Sequence, residues 1–452
     1  MTSKRPPNFL FFLPDQHRPD WLGCNPHLPL RTPNLDRLCG SGVRFTNAFT
    51  AAPVCSPSRA CLATGRDYYR CGVRDNRQNT PLSLPTYYRH LRDAGYDVVG
   101  VGKFDLHKPD RDWGLDGSNM VAEYGFTRGI DNEGKGDAFA SFRENGMSPK
   151  GPYMQFLKEN GLVDTYNANH EAYADQWFPR VTVLPDEAYC DNWVAGNAIR
   201  YLKEFHHEKP WHLVVNFVGP HPPFDVTPVM RSRWENVEIP APVDNDEPDM
   251  ELIRARRQNY AAAIENIDDH IGLMIQLVAE RGELDNTIFV HSSDHGEMLG
   301  DHNRWGKSVW YTPSSGVPMI LSGPGIRQDF CSDALVSMHD LAATFLDYAA
   351  ASPLPDSDAR SLRAVLDGKS ERHRDYILSG LNDWNMVFDG HYKLVTGADP
   401  SPILYDIQGD PHELKNVAKE HPDTVENLTR ILETEINRPE QNTAADADKR
   451  RR

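Results

Sequence analysis

Four short, uninterrupted apolar runs constrain this chain more than any other feature. They are Asn8–Leu13 (NFLFFL), Asp97–Val101 (DVVGV), His212–Phe217 (HLVVNF) and Thr287–His291 (TIFVH). A strand with one wet face alternates apolar and polar residues, whereas a run that is apolar throughout has both faces covered. Amphipathic stretches lie between the runs. Leu84–Ala94 stops at Gly95, and Gln258–Arg281 places Ile264, Ile267, Ile271, Ile275 and Val278 on one helical face before Gly282. Strands alternating with helices predict an α/β fold on a mostly parallel sheet flanked by helices. The Gly-, Asn-, Asp- and aromatic-rich region 121–185 breaks the rhythm and reads as a long insertion near the active face. From about Pro353 the pattern shifts to short strands at Tyr376–Leu378, Met386–Phe388, Tyr392–Val395 and Pro402–Tyr405. A helix over Glu413–Ile436 and a polar, frayed tail at Asn442–Arg452 follow. The expected division is an α/β domain over residues 1–352 and a smaller C-terminal α+β subdomain over residues 353–452.

In an open parallel sheet the ligand site lies beyond the carboxyl ends of the strands. The first run exits into Asp15-Gln16, the second into Gly102-Lys103 with His107 beyond, the third into His221, and the fourth into Asp294-His295. One aspartate after a strand is ordinarily a turn residue or helix cap. Four exits that all deliver carboxylate, amide, ammonium or imidazole to one edge point to a site. Asp15, Gln16, Asp294 and His295 form a candidate metal set. Their oxygens suit Ca²⁺ or Mg²⁺, and the imidazole also admits Mn²⁺.

Cys55-Ser56-Pro57-Ser58-Arg59 reads as a helix start, with Ser56 as N-cap and Pro57 as the first helical residue. Cys55 then sits at the positive end of a helix with Arg59 one turn on, an arrangement suited to an anion. Taken by itself the cysteine is either an activated thiolate or an inert core residue.

The string Cys55-Ser56-Pro57-Ser58-Arg59, followed by Leu62-Ala63-Thr64-Gly65-Arg66, resembles the signature of the type I sulfatases, members of the alkaline phosphatase superfamily. Thr32-Pro33-Asn34-Leu35-Asp36, Gly102-Lys103, Asp294-His295-Gly296-Glu297, Trp305-Gly306-Lys307, Gly323-Pro324-Gly325 and Leu404-Tyr405-Asp406 are similar to further family segments, so the resemblance covers nearly the whole chain. It implies an alkaline-phosphatase-like core and hydrolysis of a sulfate monoester, the substrate being a small organic or carbohydrate sulfate. It further implies that Cys55 is oxidised to formylglycine by a separate maturation enzyme, the hydrate being the nucleophile. One divalent cation, expected to be Ca²⁺ with Mg²⁺ or Mn²⁺ as alternatives, would be held by Asp15, Gln16, Cys55, Asp294 and His295. His221 would protonate the leaving oxygen. Lys103, Lys307 and Arg59 would neutralise the sulfate, and His107 would take a proton when sulfate is released.

Two positions depart from the family pattern. Gln16 stands where many members carry a second aspartate, and Asp105 stands where many carry a histidine, which leaves His107 offset by two residues. The Asp-Gln and Asp-His pairs also suit a phosphonate monoester or phosphodiester hydrolase of the same superfamily, whereas Lys103 resembles a sulfate-binding position of sulfatases. A third reading is a non-catalytic anion- or glycan-binding protein on this scaffold. His302, Asn303 and Trp305 are expected to rim the pocket, and aromatics of the insertion could stack on a sugar.

Charge narrows the partners. With 48 basic against 65 acidic residues the chain carries a net −17, which argues against nucleic acid and against an anionic membrane surface. No apolar stretch has the length of a membrane span, and no secretory leader is recognisable, so a cytoplasmic location is expected, or a periplasmic one if a leader was removed. Seven cysteines, an odd number, read as free thiols. A homo-oligomer is compatible with the sequence, with the C-terminal region as a candidate interface.

Overall fold

The computed structural model describes residues 5–171 and 175–438. The expected frayed tail at Asn442–Arg452 lies outside the described residues. Eight strands build the central sheet: β1 (Asn8–Phe12), β2 (Gly42–Phe49), β3 (Asp97–Gly102), β4 (Arg128–Asp131), β6 (Trp211–Asn216), β8 (Thr287–Ser292), β9 (Met319–Ser322) and β10 (Phe330–Ser337). Their order is β10-β2-β9-β8-β1-β6-β3-β4. β1 is flanked on both sides by parallel neighbours, β6 and β8, and β3 lies parallel to β6 and β4. β9 runs antiparallel to both β2 and β8. The four apolar runs are thus the middle of a mostly parallel α/β sheet, and their carboxyl ends face one edge.

Covering both faces explains their composition. Phe9 and Phe11 of β1 point into one core with Tyr87, Leu91 and Phe345, while Leu10 and Phe12 point into another with Val194, Ile267 and Ile271. The helix expected from Gln258 begins earlier, spanning Met250–Glu280, because Asp249 caps it through Leu252 N. The helix expected over Leu84–Ala94 contracts to Tyr87–Asp93, capped by Thr86. No described helix is long and apolar enough to cross a membrane.

The insertion is only partly separate from the core. Arg128–Asp131 adds β4 to the sheet edge, and β5 (Arg180–Val181) pairs with β7 (Asp225–Val226). Phe142, Tyr153, Met154, Leu157 and Tyr166 pack into a small core of the insertion's own.

The second sheet is antiparallel: β11 (Ile377–Leu381), β12 (Trp384–Phe388), β13 (Tyr392–Thr396) and β14 (Ile403–Asp406) in sequence order. One face packs Trp384, Met386 and Phe388 on Phe49, Cys61 and Tyr68, which lie at and beyond the end of β2. The other face receives the Pro422–Ile436 helix through Leu428 and Leu432. That helix starts nine residues later than expected from Glu413. Pro422 occupies its first turn, and the preceding segment is a turn in which Asp410 accepts from Leu414 N and Lys415 N.

Candidate active site

Cys55 is the first residue of a buried helix, Cys55–Thr64, whose N-cap is Val54 in extended backbone. The expected capping role of Ser56 is therefore corrected: the helix begins two residues earlier, and Ser56 N is satisfied by Asn76 Oδ1 at 2.9 Å. Starting at Cys55 aims the Cys55 side chain at the exits of β1 and β8 and puts the helix's positive end behind it. Gly65, with φ +64°, ends the helix in left-handed backbone, and a Cβ there would meet Ser357 Oγ at 2.6 Å.

Four ligand-type side chains converge. Atoms of Asp15, Cys55, Asp294 and His295, all buried, lie within 4.8 Å of one another. Cys55 Sγ is 3.3 Å from His295 Nε2 and 3.8 Å from Asp15 Oδ1. Two carboxylates, one imidazole and the side chain of residue 55 form a donor set that fits one divalent cation. Gln16 lies beside this set, its backbone N–H donating to Asp294 Oδ1 at 3.0 Å. Its Oε1 accepts from Lys307 Nζ at 2.5 Å, and its amide nitrogen bonds Glu297. Glu297, which the sequence reading gave no role, also accepts from Gly306 N at 2.5 Å and Leu299 N at 3.1 Å.

Two ammonium groups flank residue 55. Lys307 Nζ lies 3.4 Å from Cys55 Sγ and Lys103 Nζ 3.8 Å from it. Lys103 also pairs with Asp15 at 2.5 Å and with Asp105 at 3.3 Å. Burial and Asp15 push the Cys55 thiol up, but Lys103, Lys307 and His295 outweigh them and bring it below its ordinary value. Burial also opposes the charge on Asp15, yet Lys103, His221, Lys307 and Arg59 hold its carboxyl well below the usual range.

Arg59 faces the protein. It donates to Asp294 Oδ2 at 3.0 Å, to the Lys103 carbonyl at 2.7 Å and to Asn216 Oδ1 at 3.1 Å, and it pairs with Asp15 at 3.5 Å. His221 lies at the mouth with Nδ1 2.6 Å from the Pro222 carbonyl. Burial, Lys307 and Lys103 push its imidazole well below the ordinary histidine value, so the ring is neutral at neutral pH.

His107 goes elsewhere. Its Nε2 is 3.0 Å from Asp131 Oδ2, and its ring stacks over Tyr124. Among the described residues, the side chains that hydrogen-bond Cys55 Sγ are Asp15, His295, Lys103 and Lys307. Asp105, with φ +51°, instead bridges Lys103 and Lys108, the latter at 3.0 Å. Lys108 is a cation near the centre that the sequence gave no reason to select. Of the residues expected to rim the pocket, His302 stacks on Tyr311, Trp305 lies near Trp177, and Asn303 Oδ1 accepts from Asp246 N at 2.9 Å.

The sulfatase family model matches residues 7–351, and a second, N-sulphoglucosamine sulphohydrolase, C-terminal, matches residues 300–442. An arylsulfatase of Clostridium perfringens is 28% identical, with 95% of this chain and 94% of the relative covered. Among solved structures, the phosphonate monoester hydrolase of Agrobacterium radiobacter superposes with a TM-score of 0.76 at 24% identity, with 95% of each chain covered. BT4656, solved with its substrate D-glucosamine-2-N,6-O-disulfate, does so with a TM-score of 0.75 at 19% identity, covering 97% of this chain and 100% of that one. A family model that spans most of the chain, and whose signature cysteine stands among convergent cation and anion ligands, places this protein in the sulfatase family, the sulfuric ester hydrolases of the alkaline phosphatase superfamily.

Proposed function

We propose that the protein hydrolyses a carbohydrate sulfate monoester with residue 55, in its formylglycine form, as the nucleophile. The observation that carries this reading is the seat of Cys55: first residue of a buried helix, facing Asp15, Asp294 and His295, with Lys103 and Lys307 on its flanks. Asp15, Gln16, Asp294 and His295 would hold a divalent cation, with Ca²⁺ our assignment from their oxygen donors. Such an ion supplies Lewis acidity, polarising the sulfate and acidifying the hydrate.

The chain's own groups do the rest. Lys103 and Lys307 bind the sulfate oxygens and balance charge as the S–O bond breaks. Arg59 keeps Asp15 and Asp294 in place from behind. A hydroxyl of the residue 55 hydrate loses its proton and attacks sulfur as the S–O bond to the alcohol breaks, and the leaving oxygen takes a proton from His221. The second hydroxyl then gives up its proton, sulfate is expelled as the aldehyde re-forms, and water restores the hydrate. That ring is neutral beside two lysines, and a bound sulfate offsets their charge and favours its protonation. Conversion of Cys55 requires a maturation enzyme acting on the chain. The carbohydrate class is supported by BT4656, whose substrate is a sulfated glucosamine.

A second reading, a phosphonate monoester or phosphodiester hydrolase, is favoured by the Gln16 and His295 donors and by the likeness to the Agrobacterium enzyme. Relative turnover of an aryl sulfate, a phosphonate monoester and a phosphate diester under one metal separates the two. The sulfatase reading predicts the highest kcat/KM on the sulfate, and faster phosphonate cleavage overturns it.

A further inference from the structure

We propose that Trp384 of the C-terminal sheet is a positioning residue for the reaction: its indole N–H fixes the Ser308 carbonyl and so sets Lys307 against residue 55. The inference rests on the anion-binding role given to Lys307 above.

A lysine ammonium ends a flexible stem, and holding it in one place opposes its rotamer entropy. The Lys307 ammonium is nevertheless 3.4 Å from Cys55 Sγ and 2.5 Å from Gln16 Oε1, on a segment that is neither helix nor strand. Backbone placement must therefore do much of the positioning. The residues on either side of Lys307 are both left-handed, Gly306 at φ +87° and Ser308 at φ +77°. For serine that conformation is unfavourable, and it persists where the surroundings over-determine it.

The surroundings can be named. Upstream, Gly306 N donates to Glu297 Oε1 and its carbonyl accepts from Met298 N at 2.8 Å. Downstream, Ser308 N donates to the carbonyl of Pro53, two residues before Cys55, at 3.0 Å. The Ser308 carbonyl accepts from Trp384 Nε1 at 3.1 Å. Trp384 is 7% exposed, and its ring meets Trp310 edge-on at 5.9 Å. Lys393 of the same sheet and Glu413 beyond β14 anchor the segment that follows. Lys393 donates to Thr312 Oγ1 at 2.7 Å, and Glu413 accepts from Thr312 N at 2.7 Å. The peptide after Lys307 is thus clamped between the leader of the nucleophile and a tryptophan of the second sheet. Without the indole N–H, the Ser308 carbonyl is left unpaired and the left-handed peptide is free to turn, carrying Lys307 off its mark.

A double-mutant cycle on the matured full chain tests this, with Trp384→Phe, Lys307→Ala and the double variant assayed on an aryl sulfate. Trp384→Phe is expected to lower kcat/KM about tenfold, the scale of a small misplacement of a catalytic group. In the Lys307→Ala background the same change should cost less than about twofold, because a residue that acts through another loses its effect when the other is gone. Inhibition by inorganic sulfate should weaken in parallel in the first background and hold in the second. Should Trp384→Phe fold poorly, 3-benzothienylalanine at position 384 keeps the ring shape and lacks the N–H, and the same non-additivity is expected. Equal losses in both backgrounds would mean a general packing role and overturn the inference. A Lys307→Ala enzyme as active as the parent would instead overturn the role of Lys307 itself.

Discussion

Arg59 Nε donates to Asp294 Oδ2 across 3.0 Å, joining residues 235 positions apart in the chain. Through this bond the helix that carries Cys55 is locked to the loop that follows β8. The same guanidinium reaches Asp15 beyond β1, Asn216 at the end of β6 and the Lys103 carbonyl beyond β3. One side chain therefore registers four strand exits against residue 55. Asp15, Asp294 and Arg59 are all buried, so the arrangement is costly to leave half-complete.

Replacing Arg59 by alanine leaves buried Asp294 without its guanidinium, while Asp15 loses one of its cations and keeps Lys103. The expected loss is about 3–5 kcal/mol of unfolding free energy in metal-free protein. A divalent cation should restore part of it, and in the parent a hundredfold excess over Kd should add about 2.7 kcal/mol. Urea unfolding with and without Ca²⁺ or Mn²⁺ reads both effects. An Asp294→Asn variant should lose the cation response, and an undiminished response would remove Asp294 from the cation site.

His221 is expected to matter in proportion to how badly the leaving group needs a proton. His221→Ala should lower kcat about 10²–10⁴-fold for sulfate esters of weakly acidic alcohols. It should matter far less for nitrophenyl sulfate, whose phenolate leaves unaided. A leaving-group series measured on both proteins checks this, and parallel slopes would exclude His221 as the acid.

Buried neutral histidines should make the fold acid-sensitive. Burial pushes His212, between Phe9, Tyr87 and Phe345, from 6.5 down to about 3. A depressed imidazole binds fewer protons in the folded than in the unfolded chain. Its contribution is therefore complete above pH 6.5 and is lost as pH falls toward 3, at up to about 1.4 kcal/mol per pH unit. His339, also pushed to about 3, and His17, to about 4, add the same sign. His212→Phe should flatten the acid slope of unfolding free energy by about one proton. An unchanged slope would contradict the assignment.

The sequence made the middle of the sheet legible because β1, β3, β6 and β8 are buried on both faces and read as apolar runs. It did not reveal β4, whose four residues, Arg128–Asp131, include a glycine and a charged residue at each end. Nor did it reveal β9, placed antiparallel by contacts no local pattern encodes. The last helix starts at Pro422 rather than at Glu413 because Glu413, a helix former by propensity, serves as a long-range anchor for Lys393 and Thr312. At the site, residues that leave a strand end directly were legible: Asp15, Lys103, Asp294 and His295. Residues placed by irregular loops were not. Asp105 in left-handed backbone engages Lys103 and Lys108 while His107 turns to Asp131, an outcome of loop geometry rather than of spacing.

On the proposed mechanism residue 55 acts as nucleophile only once it is oxidised to formylglycine. The most direct test is the mass of the tryptic peptide spanning Cys55, taken from protein made in a host able to mature sulfatases and active on an aryl sulfate. An aldehyde in place of the thiol at position 55 is expected, with a fall in sulfate release of at least about 10³-fold in Cys55→Ala. An active preparation whose peptide carries an unmodified cysteine, or a Cys55→Ala protein that still turns over, would contradict that mechanism.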